Sequence, residues 1–384
     1  MIKKYIFSFL FSFLLFFPSC IYATAPADKI PIVAWWLTPS KNYPRIPKIE
    51  DIKDCGFNTI LYFDEGKPNA DAICKASADS GLDVILGSSK LRSNKAEAYI
   101  NSLFPNKNII GWYLKDEPLY DALPELKMEY DNLSQYSQGK QIYINLIGCH
   151  SKKYTGPCET IGEYLDTIEA LFHPHIWSFD YYPISVEDGK IKVQYNQFFK
   201  SLKAFHDKSK QTGKPFWSFC ETVEYIRPEV SRPAATIPFL RFEAFSALAF
   251  GAKGIVYWSY ELTKSKKGDF ISALIDSTGM KSPAWHYAQQ VNREISAFSD
   301  IFSHAAVNRI YIPNKGLLSK QLKAEFSKPM ESIIDMTTDG KGLLLSDFTS
   351  NGINYILILN LDVENPQTFQ AQLDPKYQYH QLEY

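Results

Sequence analysis

Eight short runs rich in β-branched and aromatic residues, each separated from the next by a helical stretch, constrain this chain more than any other feature. They span 32–36, 58–63, 83–87, 109–114, 141–147, 176–182, 216–222 and 254–260. Helix-like segments fill the gaps at 49–55, 70–80, 96–104, 122–136, 161–171, 196–211 and 237–250. Several of these end on turn signals: Gly56, Gly81, Gly213-Lys214-Pro215 and Gly251. Strands that are apolar along nearly their whole length, alternating with helices, call for a parallel sheet covered by helices. Eight repeats in roughly 230 residues is the size of a (β/α)8 barrel. A doubly wound open sheet is the competing architecture, but no Gly-x-Gly-x-x-Gly follows the first run. The expected fold class is therefore α/β, a (β/α)8 TIM barrel over 28–303.

After the eighth run and a helix around 284–302, the texture changes to strand-like runs at 309–312, 342–348 and 354–361. The last two are linked by Ser350-Asn351-Gly352, a hairpin signal. A small all-β domain over 304–384 is expected. At the other end, Lys3 and Lys4 precede an apolar run over 5–17 and then small residues, the pattern of a signal peptide over 1–23. Cleavage after Ala23 and lipidation at Cys20 both fit. The chain is expected to be exported: periplasmic, secreted or a cell-surface lipoprotein, touching a membrane only through a lipid at Cys20.

A formal net charge of −1 without dense Lys/Arg blocks gives no electrostatic case for nucleic acid as a partner. Six cysteines are too few for a disulfide scaffold. Cys149 and Cys158 flank a short polar segment and either clip it in an oxidising compartment or stay reduced, whereas Cys55 and Cys74 read as free buried thiols. No Cys or His spacing, including that of His150, His173 and His175, suits a metal, and no cofactor is implied.

In such a barrel the reactive groups sit where strands end and βα loops begin. The fourth strand exits through Lys115-Asp116-Glu117-Pro118, and the seventh through Cys220-Glu221-Thr222. Two carboxylates at those ends face one mouth, and a pair about 5 to 5.5 Å apart performs retaining glycoside hydrolysis. Glu117 reads as acid/base and Glu221 as nucleophile. Taken alone, Glu117 could simply start a helix, where a carboxylate suits the dipole. Glu224 is the rival nucleophile and reads better as a solvated loop residue. Cys220 should point into the barrel wall. Asn145, near the end of the fifth strand, is placed to face the mouth. Asp64 and Glu65 line a distal subsite or are loop charge, and Trp35 and Trp36 are core or sugar platform. An aromatic share of 15% fits ring-stacking on sugars or a large core equally well.

The segments Asp116-Glu117-Pro118 and Glu221-Thr222 resemble the clan A glycoside hydrolases, whose acid/base follows strand four, commonly in Asn-Glu-Pro, and whose nucleophile ends strand seven. The resemblance spans residues 30–300, roughly, and implies an oligosaccharide or polysaccharide substrate. It departs at Asp116, where the family's Asn contacts the sugar 2-hydroxyl; an Asp accepts that hydrogen bond but has no amide proton to donate. The stretch 241–255 resembles β-galactosidase-like members, which implies that Trp258 floors the subsite at the scissile bond. The same resemblance gives Tyr182, in Asp180-Tyr181-Tyr182-Pro183, a hydrogen bond to the nucleophile, with strand register choosing between the two tyrosines. A barrel that kept a carbohydrate-binding mouth and lost catalysis is the alternative. An aldolase or metal-dependent hydrolase would want a Lys on the sixth strand or a His/Asp cluster, and neither is evident.

Overall fold

The computed structural model describes residues 29–37, 48–64, 70–227, 230–262, 269–313, 316–378 and 380–382. The expected signal peptide, Cys20 and Glu65 lie outside them. All eight runs are strands: β1 (Ile32–Leu37), β2 (Thr59–Phe63), β3 (Asp83–Gly87), β4 (Ile109–Asp116), β5 (Gln141–Ile147), β6 (Trp177–Asp180), β7 (Phe216–Glu221) and β8 (Ile255–Trp258). They close into one parallel barrel in which β8 pairs with β1. The covering helices are α1 (Ile49–Asp54), α2 (Ala70–Asp79), α3 (Ala96–Leu103), α4 (Leu123–Tyr136), α5 (Ile161–Phe172), α6 (Tyr195–Thr212), α7 (Ile237–Ala249) and α8 (Pro283–Ala297).

Side chains two apart on a strand share a face, and this decides what fills the barrel. Val33, Trp35, Leu61, Ile85, Tyr113, Tyr143, Trp217, Phe219 and Val256 point inward and form a core of their own. Their outward neighbours, such as Ala34, Tyr62, Trp112, Phe179 and Cys220, pack against the helices. Gly87 continues the inward set of β3 without a side chain, because a Cβ there would come within 2.4 Å of the Phe63 ring. β6 is the exception in this apolar interior. Its inward positions are Ser178 and Asp180, so polar chemistry begins on that side of the barrel.

α7 is apolar around most of its circumference, which demands cover on both sides. One side meets β7. The other is covered by a three-stranded antiparallel sheet of β9 (Ala306–Tyr311), β11 (Leu343–Ser350) and β12 (Ile353–Asn360). Ser346 Oγ donates to Ala249 O at 2.6 Å and Tyr195 Oη to Leu361 O at 2.6 Å. Leu344, Phe348 and Leu361 join the core that surrounds the barrel. β10 (Ile333–Thr338) and β13 (Phe369–Leu373) form a further antiparallel pair. The β11–β12 turn is the expected one, with Asn351 and Gly352 at φ of 49° and 78°.

Two small antiparallel pairs in the loops above the barrel went unforeseen. Ile184–Glu187 pairs with Lys190–Val193 after β6, and Glu224–Tyr225 pairs with Phe270–Ser272 across the loops after β7 and β8. Glu224, the rival nucleophile, belongs to the second pair and accepts from Ser272 Oγ at 2.9 Å.

Candidate active site

The two glutamates occupy corners of the mouth that are built differently. Glu117 follows β4 at φ 35°, a conformation that non-glycine residues adopt rarely and one ahead of proline disfavours. It is held there by its own N–H, which donates to Asn145 O at 2.9 Å. Strain of this kind is kept where surrounding structure over-determines it.

Asn145 organises this corner. Its Nδ2 donates to Asp116 Oδ1 at 3.1 Å and to Asp180 Oδ1 at 2.8 Å, and its Oδ1 accepts from Ser178 Oγ at 2.9 Å. Ser178 in turn bonds the Tyr143 hydroxyl inside the barrel. Asn145 does face the mouth as expected, but it is buried and both amide protons are committed to carboxylates. It therefore scaffolds Asp116 and Asp180 and has no proton left for a sugar.

Three carboxyls thus meet at one place. Burial, then the neighbouring Asp116 charge, pushes Glu117 up to about 7, against the lowering effects of a hydrogen bond with Asp180 and the charge of Lys153. Burial and the charges of Glu117 and Asp116 push Asp180 well above the ordinary carboxylate range. Like charges at this spacing cannot all ionise together, so the corner retains protons toward neutral pH.

The second corner holds one mouth-facing carboxylate and a cation. Glu221 ends β7, inward like Trp217 and Phe219, and is 8% exposed. Its Oε2 lies 3.4 Å from Arg232 Nε, and its Oε1 is buried without a hydrogen-bond partner. Burial raises its pKa well above the ordinary value, Arg232 pulls it down, Glu243 pushes it up and Arg227 pulls it down. Arg232 is fixed by Nη1 donating to Ile184 O at 2.6 Å and by backbone bonds to Tyr225 in both directions.

Tyr182 and Trp258 lie between the corners. β6 alternation turns Tyr181 outward onto Phe198 and Tyr182 inward, which settles the register. Burial raises the Tyr182 phenol, and the charges of Asp180, Glu221, Asp116 and Glu117 raise it further, so it faces both corners. Its ring stacks on Trp258 at 5.5 Å, and Trp258 sits level with Glu221 across the β7–β8 ladder. Tyr225 and Phe270 meet the Trp258 ring edge-on. The Trp258–Ser259 peptide is cis.

Three sequence expectations need correction or restriction. Asp64 follows Leu61 and Phe63, both inward, and so faces the helices. There it accepts from Tyr99 Oη at 2.7 Å and from Lys90 Nζ at 3.4 Å, fastening β2 to α3 away from any subsite. Cys149 and Cys158 are free thiols; the loop between them is closed instead by a hydrogen bond between His150 Nε2 and Cys158 O at 2.8 Å. Trp36 lies in β1, but its side chain is outside the described residues, whereas Trp35 is barrel core.

Asp180, Arg232 and Glu243 went unassigned. A period-two signal was present for Asp180: Ser178 and Asp180 alternate with Trp177, Phe179 and Tyr181. Arg232 comes from a loop and carries no local signal. Among the described residues no cluster of His, Cys, Asp or Glu could hold a metal ion, and no helix is long and apolar enough to cross a membrane.

Residues 122–298 match the model of the β-galactosidase family Glyco_hydro_42, a segment that carries Glu221 and begins just after Glu117. Similar solved structures include the β-galactosidase of Bacillus circulans sp. alkalophilus, at 12% identity over 73% of this chain and 58% of that one, TM-score 0.52. The cold-adapted β-galactosidase of Rahnella sp. R3 is similar at 12% identity over 73% and 58%, TM-score 0.53. A catalytic mutant of a GH42 β-galactosidase from G. stearothermophilus is similar at 11% identity over 72% and 58%, TM-score 0.51. The chain thus spans about 58% of the length of these three, and at such identities the likeness is one of fold. No curated protein matches. The barrel, a glutamate just after its fourth strand, another ending its seventh and the family match over less than half of the chain are features this chain shares with the clan A glycoside hydrolases. The similarity to the β-galactosidase family lies in the stretch from α4 to α8.

Proposed function

We propose that this protein hydrolyses β-linked glycosides in oligosaccharides or polysaccharides by double displacement, with retention at the anomeric carbon. The observation that carries this reading is the difference between the two corners: one carboxyl is kept protonated near neutral pH by burial and like charge, the other faces a fixed arginine. Divergent environments for two carboxyls are how acid and nucleophile roles are divided.

In the first step a Glu221 oxygen attacks the anomeric carbon and the glycosidic C–O bond breaks, while Glu117 gives its proton to the leaving oxygen. A glycosyl ester on Glu221 results. In the second step Glu117, now ionised, takes a proton from water, the water oxygen bonds the anomeric carbon, and Glu221 leaves as carboxylate. Trp258, stacked on Tyr182, floors the sugar at the scissile bond. Asp116, exposed in the mouth, accepts from a sugar hydroxyl. Export through the residue 1–23 leader, or anchoring at Cys20, would put this chemistry where polymeric glycans are met.

The test is hydrolysis of a panel of aryl β-glycosides and natural oligosaccharides, with the first-formed anomer read by NMR. Retained configuration supports the mechanism, and an inverted product would falsify it. Mass of the mature N-terminus and cell fractionation test the export reading.

A further inference from the structure

Glu243 on α7 is only 2% exposed, behind the barrel wall, where a carboxylate has no packing reason to be. Its Oε2 accepts the backbone N–H of Glu221 at 2.7 Å. That N–H needs an acceptor from elsewhere because of how the sheet ends. Alternate residues of a parallel strand bond to opposite neighbours. Thr222 N donates to Trp258 O of β8 at 2.8 Å, so the N–H of Glu221 faces β6. The β6–β7 ladder stops at the Phe179–Ser218 pair, three residues short of Glu221, and β6 itself ends at Asp180. The last residue of β7 is therefore without a strand on one side, at the residue whose side chain must be placed most accurately.

We propose that Glu243 is a positioning residue for the nucleophile: reaching from the helix layer, it takes the place of the missing β6 ladder bond and fixes the end of β7 and with it the Glu221 carboxylate. The inference rests on Glu221 being the nucleophile. Around Glu243 stand Glu221 and Cys220 on β7, Arg232 from the following loop and Tyr257 on β8. Burial pushes Glu243 up to about 8, against the pull of the Glu221 N–H and Arg232. A glutamine is thus a fair neutral stand-in that still accepts through its carbonyl oxygen, while leucine fills the space and accepts nothing.

The experiment compares full-length wild type, Glu243→Gln and Glu243→Leu in two readouts. The first is hydrogen exchange of the Glu221 amide, which does not depend on turnover. The second is the rate at which a dinitrophenyl 2-deoxy-2-fluoro-β-glycoside esterifies Glu221, a step whose leaving group needs no acid. The amide should be protected in wild type and Glu243→Gln and exchange rapidly in Glu243→Leu. Labelling should stay near the wild-type rate in Glu243→Gln and fall on the order of 100-fold in Glu243→Leu, as misplacement of a reacting group by about 1 Å costs. Unchanged amide protection or wild-type labelling in Glu243→Leu overturns the proposal, as does a Gln variant as slow as the Leu one. If the leucine variant does not fold, Glu243→Met replaces it. Wild-type protein labelled on a residue other than Glu221 overturns the nucleophile assignment itself, and the amide exchange then still reports whether Glu243 holds the strand end.

Discussion

The corner around Glu117 and the corner around Glu221 both raise a carboxyl's affinity for its proton, but by opposite arrangements. At Glu117 burial raises the carboxyl first and the Asp116 anion adds to it, and Asn145 crowds two aspartates together by donating to both. At Glu221 burial does the raising, and Arg232 opposes it from 3.4 Å. In the proposed mechanism the first arrangement serves as the acid, with a proton to give at neutral pH. The second makes an anion that forms only beside its cation and stays poorly solvated, which favours attack. One barrel mouth separates the two roles because β6 brings Asp180 to one side and the loop after β7 brings Arg232 to the other.

The largest effect should come from removing each glutamate in turn. Glu221→Gln should abolish turnover on every substrate. Glu117→Gln should lose on the order of 10²–10⁴-fold in kcat on natural glycosides and far less on dinitrophenyl glycosides, whose leaving group needs no proton. Added azide should yield a β-glycosyl azide in Glu117→Ala, by two displacements, and only the inverted α-glycosyl azide in Glu221→Ala, by one. Should the two variants respond alike to leaving group and azide, the corners are not different in kind.

Arg232→Met sharpens the comparison by turning the second corner into a purely desolvated one. Without the cation the ionised form of Glu221 is disfavoured further, so its pKa rises. The acid limb of kcat/KM against pH should move to higher pH, with the alkaline limb, set by Glu117, left where it is. A shift in the alkaline limb alone would mean that Arg232 serves the acid and the assignments are crossed.

The fold was legible because every barrel strand carries its own signature: apolar runs of the right length, bounded by glycines such as Gly56, Gly81 and Gly213 that the chain needs at positive φ. That Glu117 and Glu221 stand at strand ends was legible for a related reason, since once strands are counted the residues at their ends are known. Loss set in where contacts are non-local. Glu243 reads as one more polar residue on a helix until the ladder is seen to stop short of Glu221. Arg232 is a loop residue whose target is set by the bridge to Tyr225. The facing of Asp64 depends on counting from Leu61, and no sequence says that two aspartates have already taken the amide protons of Asn145.

Asp180→Asn separates stability from chemistry within the first corner. Asp180 has a folded pKa well above its ordinary value of 3.8. A carboxyl raised in this way contributes stability that is complete below the unfolded pKa and is lost as pH rises through the folded one. The Asn variant lacks that loss, so its melting temperature should match wild type near pH 4 and exceed it increasingly toward pH 8. Its hydrolysis rate should fall, because the Asn amide cannot exchange a proton with Glu117 as the Asp180 carboxyl can. A melting difference that is the same at both pH values would show that Asp180 is not a buried, proton-holding group.

Asp116→Asn gives the smallest and most diagnostic change. It introduces the residue of the Asn-Glu-Pro motif that this segment resembles and removes the anion that, after burial, does most to hold Glu117 at about 7. With that charge gone, Glu117 gives up its proton more readily, and the alkaline limb of kcat/KM should move to lower pH, narrowing the active range from above. The acid limb, belonging to Glu221, should stay. The introduced amide can still meet Asn145, accepting through its carbonyl oxygen, so the corner keeps its shape and the change reports charge alone. The sugar contact gains a donor in exchange for an acceptor, and KM is free to move either way without touching the prediction. An alkaline limb that stays put would mean that burial alone sets the acid, and the contrast between an anion-built corner and a cation-built one would reduce to a single device used twice.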